Sequence, residues 1–324
     1  MRDQLNEVII RVTGARRIID THLIQNLWSD YGKIFRCRLE GAKMESVVVK
    51  HVQFPSVANH PRGWNTNRSD ERKRQSYLVE IDWYSDLSRQ CNDDCRVPFS
   101  YHCEKIGEEI LMVLEDLNTS GFPLRRSSVS KDEILVCLSW LANFHALFMN
   151  VKKTNLWETG TYWHLATRAD ELAAMRDMDL QSAASKVDKT LNEANFQTLV
   201  HGDAKLANFC FSEDSRQVAA VDFQYVGHGC GMKDVAYFLS SCLNEDELFD
   251  YESEFINFYF DTLSNKLQKL GYGDQCREIR KEWTRLYPFA WTDFYRFLDG
   301  WSPGHWKMNG YSVAMKNKVL KLLN

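Results

Sequence analysis

No stretch of this sequence reaches the roughly 18 consecutive apolar residues that a membrane-spanning helix needs. The opening residues, "MRDQLNEVIIRVTGARR", lack an apolar core followed by small residues, so no signal peptide is expected. Cys-x-x-Cys pairs are missing as well. The nine cysteines are scattered, and the closest two, Cys91 and Cys95, have no matching His or Cys pair beside them. Such spacing argues against a zinc site or a disulfide framework and fits small buried hydrophobes in a reducing compartment. There is no excess of positive charge: the formal net charge is −4, which gives no general attraction to nucleic acid or anionic lipid. Internal repeats and low-complexity segments are also lacking. These absences leave a cytoplasmic globular protein, with no nucleic-acid partner and no membrane span, as the expectation.

What is present is ordinary globular material: 324 residues, 44% hydrophobic and 26% charged, enough for two lobes with a sizeable core. The first third reads mostly as strands, "IQNLWSD" and "KIFRCRLEG" around the turn "DYGK", then the β-branched "SVVVKHV". A polar stretch with Pro and Gly, within residues 53–70, reads as an insertion of unassigned role. The following "DERKRQSYLVEIDWYSDLSRQ" has helical spacing, with Tyr77, Leu78, Ile81, Tyr84 and Leu87 on one side and Ser69 or Asp70 as its cap. "RVPFSYHCEKIGEEILMVLEDL" reads as two strands joined at 105–107. Beyond it, "KDEILVCLSWLANFHALFM" and "YESEFINFYFDTLSNKLQKLG" are long apolar-faced helices, the second closed by Gly271. The division expected is a nucleotide-binding lobe over 1–115 and a catalytic, acceptor-binding lobe over 116–324, with a connector at about 115–121.

Between the two long helices lies "LVHGDAKLANFCF", followed by the turn "SEDSR" and a second strand, "QVAAVDFQ". Phosphoryl transfer from a nucleotide accounts for each polar residue type here. A carboxylate that orients an acceptor hydroxyl and takes its proton suits Asp203. Mg²⁺ takes hard oxygen ligands, one or two carboxylates plus phosphates, which suits Asn208 and Asp222 on the two arms of one hairpin. Lys205 could reach the moving phosphate. Lys50, inside an apolar strand, is costly to bury unpaired and calls for phosphate oxygens or a carboxylate; Glu80, between Tyr77 and Tyr84 on the next helix, is the natural partner. Gly32, in "SDYGKIF", is a single-glycine candidate for a phosphate-cradling turn.

With these residues in place the chain resembles the kinase-like phosphotransferases of small molecules: aminoglycoside phosphotransferases, choline kinases and, most closely, the ecdysteroid kinase-like (CHK kinase-like) group. The landmarks run from about residue 25 to about 245: Lys50 in "VVVK", Glu80 in "VEIDWY", the connector "VLEDL", "LANFHA", "VHGDAKLANF", "VDFQ" and "GMKDVAYFL". The resemblance implies an α+β, two-lobed protein-kinase-like fold: an antiparallel sheet plus helix, then a mainly helical lobe with a catalytic β-hairpin. It implies ATP and Mg²⁺ as cofactors. By position, Asp203 is then the base, Asn208 and Asp222 the metal ligands, and Lys50 with Glu80 the phosphate-clamping pair. Glu115 and Leu117 of the connector join Gly32 in binding the nucleotide. His201 and Asp234 brace the catalytic loop. Two departures stand out: "DFQ", with Gln224, in place of "DFG", and Lys205 where many antibiotic kinases carry histidine. No "APE"-like segment follows Asp222, which argues against a protein substrate.

For the acceptor, "YPFAWTDFYRFLDGWSPGHW" holds a dense group of aromatics. Pro288 fits a first helical turn and Gly300 a position just past a helix end, so a helix is expected at about 288–299. Trp291 and Tyr295 on one face, with Asp299 and Trp301 nearby, are the candidate wall of the acceptor site. A hydroxylated small molecule is expected there, a lipophilic or amphipathic alcohol before an amino alcohol. A catalytically silent relative that binds only nucleotide or ligand is the alternative. It would be expected to lose at least one of Lys50, Asp203, Asn208 or Asp222, and all four are present. A two-metal phosphoesterase fits worse, because that chemistry needs several His and Asp residues converging on two metals, and His228 of "GHG" sits in a glycine-rich turn.

Overall fold

A computed structural model describes residues 2–27, 31–54, 67–152 and 154–323. Residues 28–30 of the first strand stretch and 55–66 of the 53–70 insertion therefore lie outside the described residues. The chain forms two compact units, one of Met1–Asn92, Arg96–Leu124 and Cys210–Gln224, the other of Asp93–Cys95, Arg125–Phe209 and Tyr225–Asn324. The hairpin segment 210–224, expected in the catalytic lobe, is thus counted with the sheet.

The first unit opens with α1 (Arg2–Thr13) and then β1 (Arg17–Asn26), β2 (Gly32–Glu40) and β3 (Ser46–Gln53). After α2 (Asn67–Asp82) come β4 (Ser100–Ile106), β5 (Glu109–Glu115) and the two-residue β6 (Leu124–Arg125). The five long strands form one antiparallel sheet in the order β1-β2-β3-β5-β4, so β3 is central. Alternation along β3 divides its side chains between two faces. Val47 and Val49 join Ile9 of α1, Cys37, Leu39, Leu111 and Val113 in one apolar cluster. Lys50, one residue out of phase, points to the opposite face, where α2 buries Tyr77 and Glu80. A one-residue slip would send the ammonium into the valine cluster; the apolar pattern fixes the register.

Helix α2 already includes Asn67, so Ser69 and Asp70 lie inside it and neither is its cap. Asp70 instead accepts from the Arg74 guanidinium one turn on (2.7 Å). Past Asp82 the helix widens into a π-helical turn, Trp83–Leu87, whose Trp83 ring stacks on Phe223 (4.6 Å).

The second unit is mainly helical: α3 (Lys131–Leu147), α4 (Ala169–Ala173), α5 (Met178–Asn192), then β7 (Thr198–Val200). The hairpin strands β8 (Phe209–Phe211) and β9 (Val218–Ala220), whose residues 210–224 belong to the first unit, follow in the chain, and the second unit resumes with β10 (Gly227–Gly229), which pairs antiparallel with β7. Helices α6 (Met232–Cys242), α7 (Glu245–Lys269), α8 (Cys276–Trp301) and α9 (Gly310–Leu323) complete it. Capping boxes start α3 (Ser130 with Glu133) and α7 (Asn244 with Glu247).

Helix α8 corrects the expected 288–299 helix. It runs straight through Pro288, and Gly300 is inside it. A proline in a helix interior costs about 3 kcal/mol. The buried face Ile279, Trp283, Leu286, Tyr287, Ala290, Trp291, Phe294 and Phe297 continues across it, and each large apolar side chain gains about 1.5–3 kcal/mol on burial. Packing outweighs the one lost hydrogen bond. Gly300 marks a close approach: a Cβ there would sit 1.8 Å from the Glu171 carbonyl oxygen on α4. No helix of the described residues is long and apolar enough to cross a membrane.

Candidate active site

In the first unit, the Lys50 Nζ donates to Glu80 Oε2 (2.6 Å) and Asp222 Oδ1 (3.2 Å). Lys50 and Glu80 are 4% and 1% exposed. Burial alone would discharge the ammonium, but Glu80 and Asp222 outweigh it and raise the Lys50 pKa, so the cation persists. Burial pushes the Glu80 carboxyl up to about 6, with Lys50 opposing and Asp222 adding to the rise. Asp222 has φ of +71°, a left-handed turn that Asp tolerates better than most residues. Gln224 explains part of how it is held. Its Nε2 donates to Asp222 Oδ1 (2.7 Å), while its Oε1 accepts from Lys73 Nζ (2.7 Å) and Ser76 Oγ (3.2 Å). Glycine at this position would lack those contacts.

The other nucleotide candidates also lie in this unit. Gly32 opens β2 opposite Val52, and its carbonyl accepts from the Leu27 N–H (2.8 Å). Glu115 closes β5, its carboxylate held by Arg96 (2.6 Å) and the Phe99 N–H (2.8 Å). Leu117 is buried, and next to it Asp116 accepts from Arg36 and from Ser46 Oγ (2.6 Å), which fixes the start of the connector.

In the second unit, β7 delivers the chain to His201-Gly202-Asp203. Asp234, in the first turn of α6, accepts from the His201 N–H (2.5 Å), the Gly202 N–H (3.0 Å) and His145 Nε2 (3.2 Å). His201 Nδ1 accepts from the Asp203 N–H (3.2 Å). Both side chains are engaged in hydrogen bonds to the backbone of this loop. Gly202 needs to be glycine, with φ of +81° and the Tyr225 carbonyl 2.0 Å from where a Cβ would be.

Asp203 is 6% exposed, and its Oδ2 accepts from Lys205 Nζ (2.9 Å) and Asn208 Nδ2 (3.1 Å). Its Oδ1 is buried without a well-formed hydrogen bond; the Tyr237 hydroxyl is its neighbour, kept neutral by burial, by Tyr162 and by the Asp203 charge. One carboxylate oxygen is thus anchored by two donors, and the other lies buried without a well-formed hydrogen bond. Asn208 Nδ2 also donates to the Asp203 carbonyl (2.8 Å), so its amide oxygen is the end left for a cation. Among the described residues no three His, Cys, Asp or Glu side chains group to hold a metal. Mg²⁺ carried on nucleotide phosphates needs only one or two protein ligands, and hard oxygens from Asn208 and Asp222 fit that demand.

The model of the ecdysteroid kinase-like family matches residues 74–172 and 160–272, more than half of the chain. The chain belongs to the ecdysteroid kinase-like family. No curated relative matches it by direct sequence comparison. Among solved structures it is similar to an aminoglycoside 2'-phosphotransferase-IIIa in its GDP complex, at TM-score 0.52 and 10% identity over 99% of both chains. A Plasmodium vivax ethanolamine kinase aligns at TM-score 0.51 and 12% identity, covering 94% of this chain and 83% of its own. A fructosamine-3-kinase candidate from Haemophilus somnus 129PT aligns at TM-score 0.50 and 16% identity, over 100% and 98%. At such identities these likenesses establish the fold, the α+β kinase-like fold expected from the motifs.

The acceptor candidates of this ecdysteroid kinase-like chain are distributed over different surroundings. Trp291 is 1% exposed, its ring 5.0 Å from that of Tyr311, within the helical core. Tyr295 is half-buried with the Lys316 Nζ 5.3 Å from its ring. The Asp299 carboxylate accepts from the Arg176 and Asp177 N–H groups (2.7 and 2.9 Å). Trp301 stacks on Phe297 (5.2 Å) and joins a cluster with Trp163, Tyr237, Phe294 and Tyr162. That cluster reaches Asp203 through Tyr237; Trp291 lies on another side of α8.

Three side chains near the Asp203 carboxylate escape sequence reasoning. Tyr237 lies inside a recognised motif, "GMKDVAYFL", without a signal of its own. Tyr162 and Lys307 lie outside every motif. Lys307 is 9% exposed, its Nζ 4.5 Å from the Tyr237 ring centroid and 5.5 Å from those of Phe294 and Trp306. Burial pulls its pKa down to about 8, against the attraction of Asp203.

Proposed function

We propose that this ecdysteroid kinase-like protein moves the γ-phosphoryl group of ATP to a hydroxyl of a small molecule. Asp203 is the base, its Oδ1, which lacks a well-formed hydrogen bond, receiving the acceptor proton while Lys205 and Asn208 hold Oδ2 in place. Lys50, held charged by Glu80 and Asp222, neutralises the nucleotide phosphates. Asn208, directly before β8, and Asp222, just beyond β9, hold Mg²⁺, which when bound screens the charge on the phosphates. Lys205 faces the moving phosphoryl group. Gly32 and the connector at Glu115 and Leu117 border the nucleotide. The names of the structural neighbours, each a small-molecule kinase, support the same reaction class.

The observation that carries this reading is the half-anchored Asp203 carboxylate. A purely structural aspartate would have both oxygens satisfied, because a buried polar atom without a partner is costly. Asp203→Asn should bind nucleotide as the parent does and lose ~10²–10⁴ in turnover, measured as acceptor-dependent ADP formation beside nucleotide titration. Turnover equal to that of the unaltered protein would remove Asp203 from the reaction.

A further inference from the structure

Lys307 is a buried cation with no matching anion. Among the described residues its Nζ donates no hydrogen bond to a carboxylate or carbonyl, and three aromatic rings surround it instead. Cation–π contact offsets part of the desolvation but does not neutralise the charge. Three buried carboxylates of this unit are committed elsewhere. Glu171 accepts from Arg168 (2.6 Å), Asp293 from Trp163 Nε1 (3.0 Å) and Arg296 (2.9 Å), and Asp299 from two backbone N–H groups. The charged groups acting on Lys307 are Asp203 and Lys205; the Cys242 thiol, its pKa pushed up to about 12 by burial, is neutral. Asp203 is already paired with Lys205, so one positive charge is left over beside the base.

Resting on the phosphotransfer reading above, we infer that Lys307 makes the acceptor site select for an acceptor that carries an anionic oxygen, a carboxylate or sulfate, near its reacting hydroxyl, and against cationic amino alcohols. The aromatic rings of Tyr162, Phe297 and Trp301 on the same side of α8 fit a flat apolar body joining the two groups. Selection comes from repulsion as much as attraction: an ammonium brought beside Lys307 has no carboxylate to share.

Three probes on one frame test this: 4-(hydroxymethyl)benzoate, 1,4-benzenedimethanol and 4-(aminomethyl)benzyl alcohol, which are anionic, neutral and cationic. Binding is read by calorimetry on the full chain, with and without Mg²⁺ and a non-hydrolysable ATP analogue. The anionic probe should bind roughly tenfold more tightly than the cationic one, as one unscreened charge contact implies. Lys307→Met should level the three, and Lys307→Arg should keep the order. Equal binding of the anionic and cationic probes, or of neither, overturns the inference, as does an order that survives in Lys307→Met. ADP formation is measured separately. A Lys307-dependent preference without ADP formation would refute the phosphotransfer reading and leave the charge preference standing.

Discussion

An ammonium buried between two carboxylates is stable only as a set. Removing Glu80 leaves Lys50 facing Asp222 alone, and breaking a buried pair costs about 3–5 kcal/mol. Glu80→Ala should therefore lower the unfolding free energy by an amount in that range, measured by urea denaturation. Lys50→Met combined with Glu80→Leu should recover most of the loss, because neither charge is then stranded. Additive losses in the double variant would mean that the two side chains do not depend on each other. The residues of this network are legible in the sequence, because each sits in a short contiguous motif where a charge among apolar neighbours demands a partner. Lys307 is not. Its significance depends on which rings and carboxylates surround it in space, and "GHWKMNG" carries no trace of that.

At the scale of elements, legibility follows periodicity and fails at punctuation. The strands around Lys50 and the helices α3 and α7 match their hydrophobic repeats. The start of α2 departs from the expected one because Ser69 and Asp70 are good caps in isolation, while the helix has already begun. Pro288 suits an opening residue of a helix, yet an uninterrupted apolar face carries α8 through it. Gly300 suits a stop, and the contact with Glu171 shows another reason for glycine there. Gly300→Ala should force α4 and α8 apart and destabilise the protein by about 1–3 kcal/mol, the usual range for overpacking. Thermal melts with unchanged stability would show that α4 yields without cost.

For the molecule as a whole, a ligand that binds only the folded chain adds to its stability by mass action. Mg·ATP at 100 times its Kd should raise the unfolding free energy by about 2.7 kcal/mol. The increase should vanish with EDTA or in Asp222→Ala, and shrink only partly in Asn208→Ala, because water can replace a neutral amide oxygen. Thermal melts with and without the metal check this; a rise that survives both treatments would take Asp222 out of the metal site. The division of the chain has a consequence for its history and its handling. Each unit is assembled from three separate segments, and the sheet unit borrows 210–224 from deep within the second half. No single cut of the gene releases either unit intact. A crossover that swapped the first 124 codons between two relatives would unite a sheet with a foreign hairpin, Asp222 and Gln224 included, so the partners of Lys50, Lys73 and Ser76 must be inherited across a gap of more than eighty codons.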